Sequence, residues 1–189
     1  MNIITAFMNM GDPRIISAQN LFLSSISRFP EIRPIIIPGQ PRPRFNEMLA
    51  TARMGSSWEW FGWINSDCQL LLNPAVILPQ NNSTDVIGLK RIGIGAGDKC
   101  TGVDGYFIKK SFYDKHLAEG PNLWVGATHI DWWVTMAAQK FGSYSEGYFL
   151  AHLPHERTKA SAGIDEIGQE NIKAHNEWAD KNGISYPKC

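Results

Sequence analysis

The sequence predicts a single α/β/α sandwich with a mostly parallel central sheet. Short apolar runs rich in β-branched and aromatic residues, which are typical of buried strands, alternate with amphipathic stretches through the first half of the chain. A long aromatic run then stops at the polar triplet Asn65-Ser66-Asp67. Because such sheets bind their ligands at the carboxyl ends of their strands, this triplet marks the edge at which we expect a site.

The predicted strands are recognised by their composition and by the turn residues that stop them. The first begins at the amino terminus and is followed by the turn-forming segment 9–13. The second ends at Pro38 and Gly39, and the third is the aromatic run that begins at Trp58. We expect strands at residues 1–8, 33–37, 58–67, 85–94, 103–108 and 148–151.

Helices are predicted where apolar residues recur every three or four positions. Pro13 suits the first turn of the first helix, and Gly55 suits the end of the second. From residue 156 the chain is polar and helical, and we expect it to dock at a few points such as Ile172 and Trp178. We expect helices at residues 15–26, 45–54, 109–117 and 131–141, a helical turn or loop over residues 73–83, and a division into a domain (1–157) and a C-terminal tail (158–189).

Length and charge narrow the functional classes. A chain of 189 residues suits one domain with a tail, and 43% hydrophobic residues can fill its core. Eighteen basic and eighteen acidic residues cancel, so we expect no nucleic acid partner. The local cluster of Arg42, Arg44 and Arg53 is interpreted as a solvated loop and helix face. The sequence has neither a Walker A loop nor a Gly-X-Gly-X-X-Gly signature.

The cysteines and the hydropathy pattern bear on location. The chain has three cysteines, Cys68, Cys100 and Cys189. Their odd number and the absence of metal-ligand spacing favour free thiols in a reducing compartment. No apolar window reaches 18 residues, and the start lacks a secretion-signal pattern. We expect a soluble, cytoplasmic protein without a transmembrane segment.

Four short segments carry acidic, aromatic and histidine residues in a recognisable order. They are the triplet, residues 101–107 (TGVDGYF), residues 126–133 (GATHIDWW) and residues 150–155 (LAHLPH). Together they resemble the GT-A glycosyltransferases, the nucleotide-diphospho-sugar transferase superfamily, and more closely small GT-A-like proteins with an Asn-Ser-Asp strand end. The resemblance covers about residues 3–157 and implies a GT-A-like, Rossmann-like sandwich in which the triplet is a variant of Asp-X-Asp.

Asp67 is the main candidate that the resemblance identifies. A buried carboxylate is costly unless a cation or several donors receive it. In the family, the last Asp of the triplet binds Mn²⁺ or Mg²⁺, and Asn65 and Ser66 would then contact the donor. Asn65 is a weaker ligand than the usual Asp, so metal affinity would be low or Asn65 would contact the ribose. The alternative is that Asp67 caps a turn at the strand end.

His152 and His155 are candidates for a further metal ligand. GT-A enzymes often take such a ligand from a late segment, and a neutral imidazole suits Mn²⁺. His152 follows a strand-like run and is the better match, whereas His155 comes just after Pro154. The alternative is one ligand and one surface histidine, or two histidines with structural roles.

Asp131 is the candidate catalytic residue. The resemblance places a carboxylate here that faces the acceptor, as general base in an inverting enzyme or as a positioning group in a retaining one. Its position at a helix start also suits a carboxylate that only offsets the helix dipole. His129 is a weaker alternative base. The resemblance places Trp124, Trp132 and Trp133 near the acceptor side, where they would stack on a sugar face, although core packing explains most tryptophans.

Asp104 lies between Gly102 and Gly105, where a backbone can approach a ligand closely. The resemblance implies that Asp104 binds hydroxyls of the donor sugar. The alternative is a β-bulge or hairpin with a solvated carboxylate.

The loop after the first strand is the candidate nucleotide-binding segment. The resemblance implies that Phe7, Asn9 and Arg14 cradle the base and ribose. A turn with Asp12 as the N-cap before Pro13 fits the residues equally well.

The implied function is a hexosyltransferase-type glycosyltransferase that uses a nucleotide-diphosphate sugar donor. It would move the sugar to a hydroxyl of a glycan or another acceptor, with Mn²⁺ or Mg²⁺ as cofactor. One alternative is a sugar nucleotidyltransferase, whose glycine-rich, basic signature is poorly matched by Gly11-Asp-Pro-Arg14. The other is a protein of the same fold that binds a nucleotide or a partner without turnover.

Overall fold

The computed structural model describes residues 1–7, 13–93, 102–152 and 163–185. It confirms the α/β class. The strands of the described residues are β1 (Asn2–Phe7), β2 (Arg33–Pro38), β3 (Trp60–Ile64), β4 (Cys68–Leu70), β5 (Val86–Gly93), β6 (Val103–Lys109) and β7 (Tyr144–His152). The helices are α1 (Pro13–Ser27), α2 (Phe45–Gly55), α3 (Pro74–Gln80), α4 (Lys110–Phe112) with a π-helical turn over Tyr113–Leu117, α5 (Ile130–Phe141) and α6 (Glu166–Lys181).

The strands form one sheet in the order β2-β1-β3-β6-β5-β7-β4. β1 pairs in parallel with β2 and β3, and β5 pairs in parallel with β7. β6 runs antiparallel to both β3 and β5, and β4 runs antiparallel to β7. All strands except β6 and β4 therefore point the same way, as the mostly parallel prediction requires.

The link between β3 and β4 requires the sheet to curl. These strands are four positions apart in the sheet order, which would be about 19 Å in a flat sheet with strands about 4.8 Å apart. Only residues 65–67 join them, and a link of that length spans at most about 14 Å. The curl therefore gathers the carboxyl ends of β3, β5 and β7 around this short link.

Alternation of side chains across the sheet creates an apolar layer on each face. Ile3 faces one layer, which α1 and α3 cover with residues such as Phe22 and Ile77. Ile4 faces the other, which α2 and α5 cover with residues such as Phe45 and Trp133. The result is the predicted three-layer sandwich.

Several element boundaries differ from the sequence prediction. β4 was not expected, because three residues are too few to show a period. β7 begins at Tyr144 and not at residue 148. Its first half was missed because it mixes polar and aromatic residues, most of them half-buried, and gives no clear strand pattern. The segment from Pro74 is a helix that includes Pro79, and its N-cap Asn73 accepts a hydrogen bond from the backbone N–H of Ala75 at 2.7 Å.

The described part of the chain after residue 162 contains the helix α6, whereas the division into a domain and a tail stays a prediction. Asp165 caps α6 by accepting from the backbone N–H of Gly168 at 2.8 Å. Trp178 packs against the core layer that contains Trp133, and Ile172 is half-buried. The domain boundary at residues 157 and 158 lies outside the described residues and stays a prediction. Among the described helices, none is long and apolar enough to span a membrane.

Candidate functional site

The triplet forms a tight turn at the carboxyl end of β3. The backbone N–H of Cys68 donates to the carbonyl oxygen of Asn65 at 3.1 Å, which closes the turn. Asn65, Ser66 and Asp67 are all half-buried. The aromatic strand therefore ends three residues earlier than predicted, and the triplet itself is the link that brings β4 to the far side of the curled sheet.

Asp67 and His152 meet at this edge. Cys68 pairs in register with His152, so the side chains beside this pair come together although they belong to distant parts of the chain. The Oδ2 atom of Asp67 is 3.5 Å from Nε2 of His152. The Sγ atom of Cys68 donates to Oδ1 of Asp67 at 3.4 Å. Burial, and then the charge of Asp67, raise the pKa of the Cys68 thiol, which keeps it protonated.

The Asp67–His152 pair fits a divalent cation. Two ligands about 2.1 Å from one ion in octahedral geometry lie about 3 Å apart, close to the separation of these two atoms. Carboxylate oxygen and imidazole nitrogen are both ligands of Mn²⁺. Within the described ranges no group of three or more His, Cys, Asp or Glu side chains is arranged to hold a metal ion. The pair therefore suits an ion that takes its other ligands from a bound molecule or water.

Asp104 is held by one hydrogen bond and one ion pair. Nδ2 of Asn65 donates to its Oδ1 at 2.8 Å, and Nη1 of Arg91 lies 2.8 Å from its Oδ2. The carboxylate is buried, so the solvated Asp104 of the alternative is wrong. The β-bulge of the same alternative agrees with the register shift between β5 and β6 opposite residues 103–106. Burial raises its pKa, and the charge of Arg91 opposes that rise.

The glycine beside Asp104 serves strand packing. A Cβ on Gly105 would lie 2.8 Å from the carbonyl oxygen of Trp63 and 3.1 Å from side-chain atoms of Ile64 and Leu89. The glycine thus permits close approach of β3 and β5 to β6, and the approach of a ligand need not be invoked.

Asp131 lies in the first turn of α5, as predicted, and is half-buried. Burial, and then the negative charge of Asp104, raise its pKa to about 6, whereas its own N–H and that of Trp132 oppose the rise. The hydroxyl of Tyr106 donates to the backbone carbonyl of Asp131 at 2.5 Å and lies 2.8 Å from Oγ1 of Thr135. A carboxyl group with this pKa can exchange protons near neutral pH.

The remaining candidates are less closely tied to this cluster. Phe7 packs edge-on against Phe22 with ring centroids 6.2 Å apart, and Arg14 is exposed in the first turn of α1. Asn9 and His155 lie outside the described residues. The roles of these four side chains toward a nucleotide or a metal stay predictions.

The three tryptophans considered for sugar stacking lie in different environments. Trp133 is fully buried in the core. Trp124 has the guanidinium of Arg44 over its ring, 3.3 Å from the centroid, and its Nε1 donates to Oε2 of Glu170 at 2.6 Å. Trp132 is 38% exposed in the first turn of α5, next to Asp131. Of the three, Trp132 presents the most open ring to a ligand.

Sequence reasoning missed Arg91 and Tyr106. The only signal for Arg91 is a pair of charges, Lys90 and Arg91, inside an otherwise apolar strand. Its partner follows from the β5–β6 register, which shifts between Gly88 and Lys90 and which no local pattern encodes. In the sequence Tyr106 looks like any aromatic residue of a buried strand. Its hydroxyl contacts residues of α5, and no local pattern indicates that contact.

The fold is similar to that of two solved glycosyltransferase-related structures, at low sequence identity. The mannosyltransferase PcManGT from Pyrobaculum calidifontis, in complex with GDP-Man and Mn²⁺, matches with a TM-score of 0.62 and 9% identity, over 99% of this chain and 66% of that chain. S. aureus TarS 1-349 matches with a TM-score of 0.51 and 12% identity, over 96% of this chain and 73% of that chain. The chain has a GT-A-type glycosyltransferase fold. It spans slightly less than two thirds of the mannosyltransferase structure. No family model and no curated protein matches the sequence.

Proposed function

We propose that this protein is a hexosyltransferase-type glycosyltransferase that moves a sugar from a nucleotide-diphosphate sugar to an acceptor hydroxyl, assisted by a divalent cation. The observation that carries the proposal is the 3.5 Å approach of Asp67 Oδ2 to His152 Nε2 at the carboxyl edge of the sheet. Ligands of α/β sheets bind at this edge. The similarity of fold to a mannosyltransferase that binds GDP-Man and Mn²⁺ supports the same assignment.

Asp67 and His152 are the residues that would hold Mn²⁺ or Mg²⁺. When bound, such an ion neutralises charge on a diphosphate leaving group. His155 remains a candidate for an additional ligand. Asn65 is a weaker candidate ligand than an Asp would be at this position. Its Nδ2 donates to Asp104, and its amide oxygen is the atom of this side chain that can bind a cation.

Asp131 is the residue proposed to act on the acceptor. In the reaction the acceptor oxygen bonds to the anomeric carbon of the donor while the bond from that carbon to the phosphate oxygen breaks. In an inverting enzyme Asp131 takes the hydroxyl proton, and its pKa of about 6 leaves it mostly ionised at neutral pH. In a retaining enzyme the same carboxylate positions the acceptor or stabilises positive charge on the sugar ring.

Asp104 is proposed to face the donor sugar, with Arg91 and Asn65 holding its carboxylate in place. The charge of Arg91 opposes the rise in the pKa of both Asp104 and Asp131, and the charge of Asp104 adds to the rise in the pKa of Asp131. Phe7, Asn9, Arg14 and Ser66 are proposed to contact the nucleotide. A glycan is the acceptor that we favour.

One observation favours binding without turnover as a second candidate. Asn65 replaces the usual first Asp of the triplet, and the described residues supply a pair and not a cluster of metal ligands. A protein with this site would bind a nucleotide weakly and leave the sugar in place.

The test is a thermal-shift screen of nucleoside diphosphates and nucleotide sugars, GDP-mannose among them, with and without Mn²⁺. We expect one nucleotide to raise Tm only when Mn²⁺ is present, and the shift to vanish in Asp67→Ala. Asp114→Ala is the matched control, because Asp114 pairs with Arg53 on the surface. Turnover of the stabilising donor then separates an enzyme from a binding protein, and the absence of any shift would contradict both.

A further inference from the structure

One buried side chain fastens α6 to the segment that precedes α5. Asn171 is 1% exposed. Its Oδ1 accepts from the backbone N–H of Trp124 at 2.8 Å. Its Nδ2 donates to the carbonyl oxygens of Trp124 and Thr128 at 3.0 and 2.9 Å. The side chain therefore fixes both ends of residues 124–128.

A second contact lies one helical turn further along α6. His175 follows Asn171 by four residues, so both side chains lie on the same face of α6. The ring centroid of His175 is 5.0 Å from that of His129. His129 has a φ of 75°, a left-handed conformation that non-glycine residues keep only where their surroundings hold it. The contact with α6 is one such constraint at the residue immediately before α5.

These contacts converge on Asp131. Thr128 and His129 lie immediately before α5, and Asp131 is in its first turn. On the other side, the Tyr106 hydroxyl donates to the carbonyl of Asp131 at 2.5 Å. The start of α5 is thus held between β6 and α6.

We propose that α6 completes the active site and that Asn171 is a positioning residue, acting through residues 124–128 to set where the Asp131 carboxylate meets the acceptor. This inference rests on the proposed function, in which Asp131 acts on the acceptor hydroxyl. Apolar contacts alone would dock a helix without fixing it, whereas three directed hydrogen bonds to backbone groups define a position. A displacement of about 1 Å at a reacting group can lower turnover about 10²-fold.

The test compares Asn171→Ala with Lys173→Ala, a control on the exposed face of the same helix. Hydrogen exchange reports the anchoring. We expect the amides of residues 124–131 to exchange faster in Asn171→Ala and to be unchanged in the control. Unchanged exchange in Asn171→Ala would overturn the inference.

Steady-state kinetics with the donor found by thermal shift report the catalytic consequence. We expect kcat to fall about 10²-fold in Asn171→Ala while KM for the donor stays within about twofold. The acidic limb of the pH–kcat profile should also move to lower pH, because a loosened segment exposes Asp131 to water. Asp104 and Arg91 carry the charges that influence Asp131, and neither is altered. A loss of folded protein would lower kcat without moving the acidic limb to lower pH, and that result, or an unchanged kcat, would overturn the inference.

Asn171→Ser guards against a failure of the alanine variant to fold, because its hydroxyl adds no buried charge and can still donate and accept. Ser is shorter than Asn and has a single donor, so we expect exchange and kcat between those of wild type and Asn171→Ala. Values equal to wild type in Asn171→Ser would count against the inference. A wild-type protein that binds nucleotide but turns over no donor would remove the proposed function and the catalytic part of this inference. The exchange result would still decide whether Asn171 holds residues 124–128.

Discussion

Asn65 donates from Nδ2 to Oδ1 of Asp104 at 2.8 Å, across the junction between β3 and β6. The adjacent backbone bond, from Asn65 N–H to the carbonyl oxygen of Asp104, is also 2.8 Å. An Asp at position 65 would place two carboxylates against each other in a buried setting. The pairing therefore gives a physical reason for Asn in the first position of the triplet.

Asn65→Asp should destabilise the fold at neutral pH, by about 1–3 kcal/mol, because a donor is lost and a like charge is added. The mutual repulsion would raise the carboxyl pKa values in the folded state above those of the unfolded chain. Stability lost near pH 7 should then return as the pH falls toward 4. Urea unfolding at both pH values measures this, and equal stability of variant and wild type at pH 7 would contradict the pairing.

The strands and helices could largely be predicted from sequence because their signals are local. The runs around Ile4 and Phe61 have strand composition, and α2 and α5 show helical spacing. β4 was not predicted because its three residues form a strand by pairing with β7, a distant segment. The polar half of β7 was missed for the same reason, since it forms a strand by parallel pairing with β5.

Some residues of the candidate site stand out in the sequence, but their geometry does not. Asp67 and His152 lie at predicted strand ends and Asp104 at a predicted strand start, and the structure brings the three together. The contact between Asp67 and His152 depends on the curl of the sheet, and the Arg91–Asp104 pair depends on a register shift. Asn171 and His175 lie on a polar helix, where apolar spacing gives no hint of which side chains are buried.

Asp67 and His152 should act as one unit toward the metal. We expect Asp67→Ala and His152→Ala each to weaken Mn²⁺-dependent nucleotide binding at least tenfold, which is about 1.4 kcal/mol or more. Because both changes remove ligands of one ion, the double variant should lose less than the sum of the two. Isothermal titration of the nucleotide with and without Mn²⁺ completes this cycle, and strictly additive losses would speak against a shared ion.

The pH dependence of turnover should report Asp131. A general base must be ionised, so kcat should rise with pH through about 6 and level off above it. Asp131→Asn should lower kcat by at least 10²-fold and leave metal-dependent donor binding intact. Turnover in Asp131→Asn at the wild-type rate would exclude Asp131 as the base.

Trp132 should contribute to acceptor binding if the acceptor is a sugar. Its ring is exposed beside Asp131, and an aromatic face offers an apolar surface for the C–H groups of a sugar ring. We expect Trp132→Ala to raise KM for a glycoside acceptor about tenfold, with little change in donor hydrolysis by water. Trp58→Ala, at a tryptophan in the other core layer, is the control. A KM unaffected by Trp132→Ala would place the acceptor elsewhere.

The stability of the fold should fall in mild acid through His175. This side chain is fully buried, and burial, with the neighbouring His129 adding to it, lowers its pKa to about 4 from an ordinary value of 6.5. In that range the unfolded chain binds a proton that the folded chain resists, so stability is complete above pH 6.5 and declines as the pH falls toward 4. The shift corresponds to about 3 kcal/mol.

The measurement is the free energy of unfolding by urea at pH 7, 5.5 and 4.5 for wild type and His175→Gln. Gln does not titrate, so we expect the variant to be less stable than wild type at pH 7 but to lose less stability on acidification. Other groups titrate in both proteins and cancel in the difference between them. Parallel pH profiles for the two proteins would show that His175 is not buried in its neutral form, and would weaken the docking of α6 on His129.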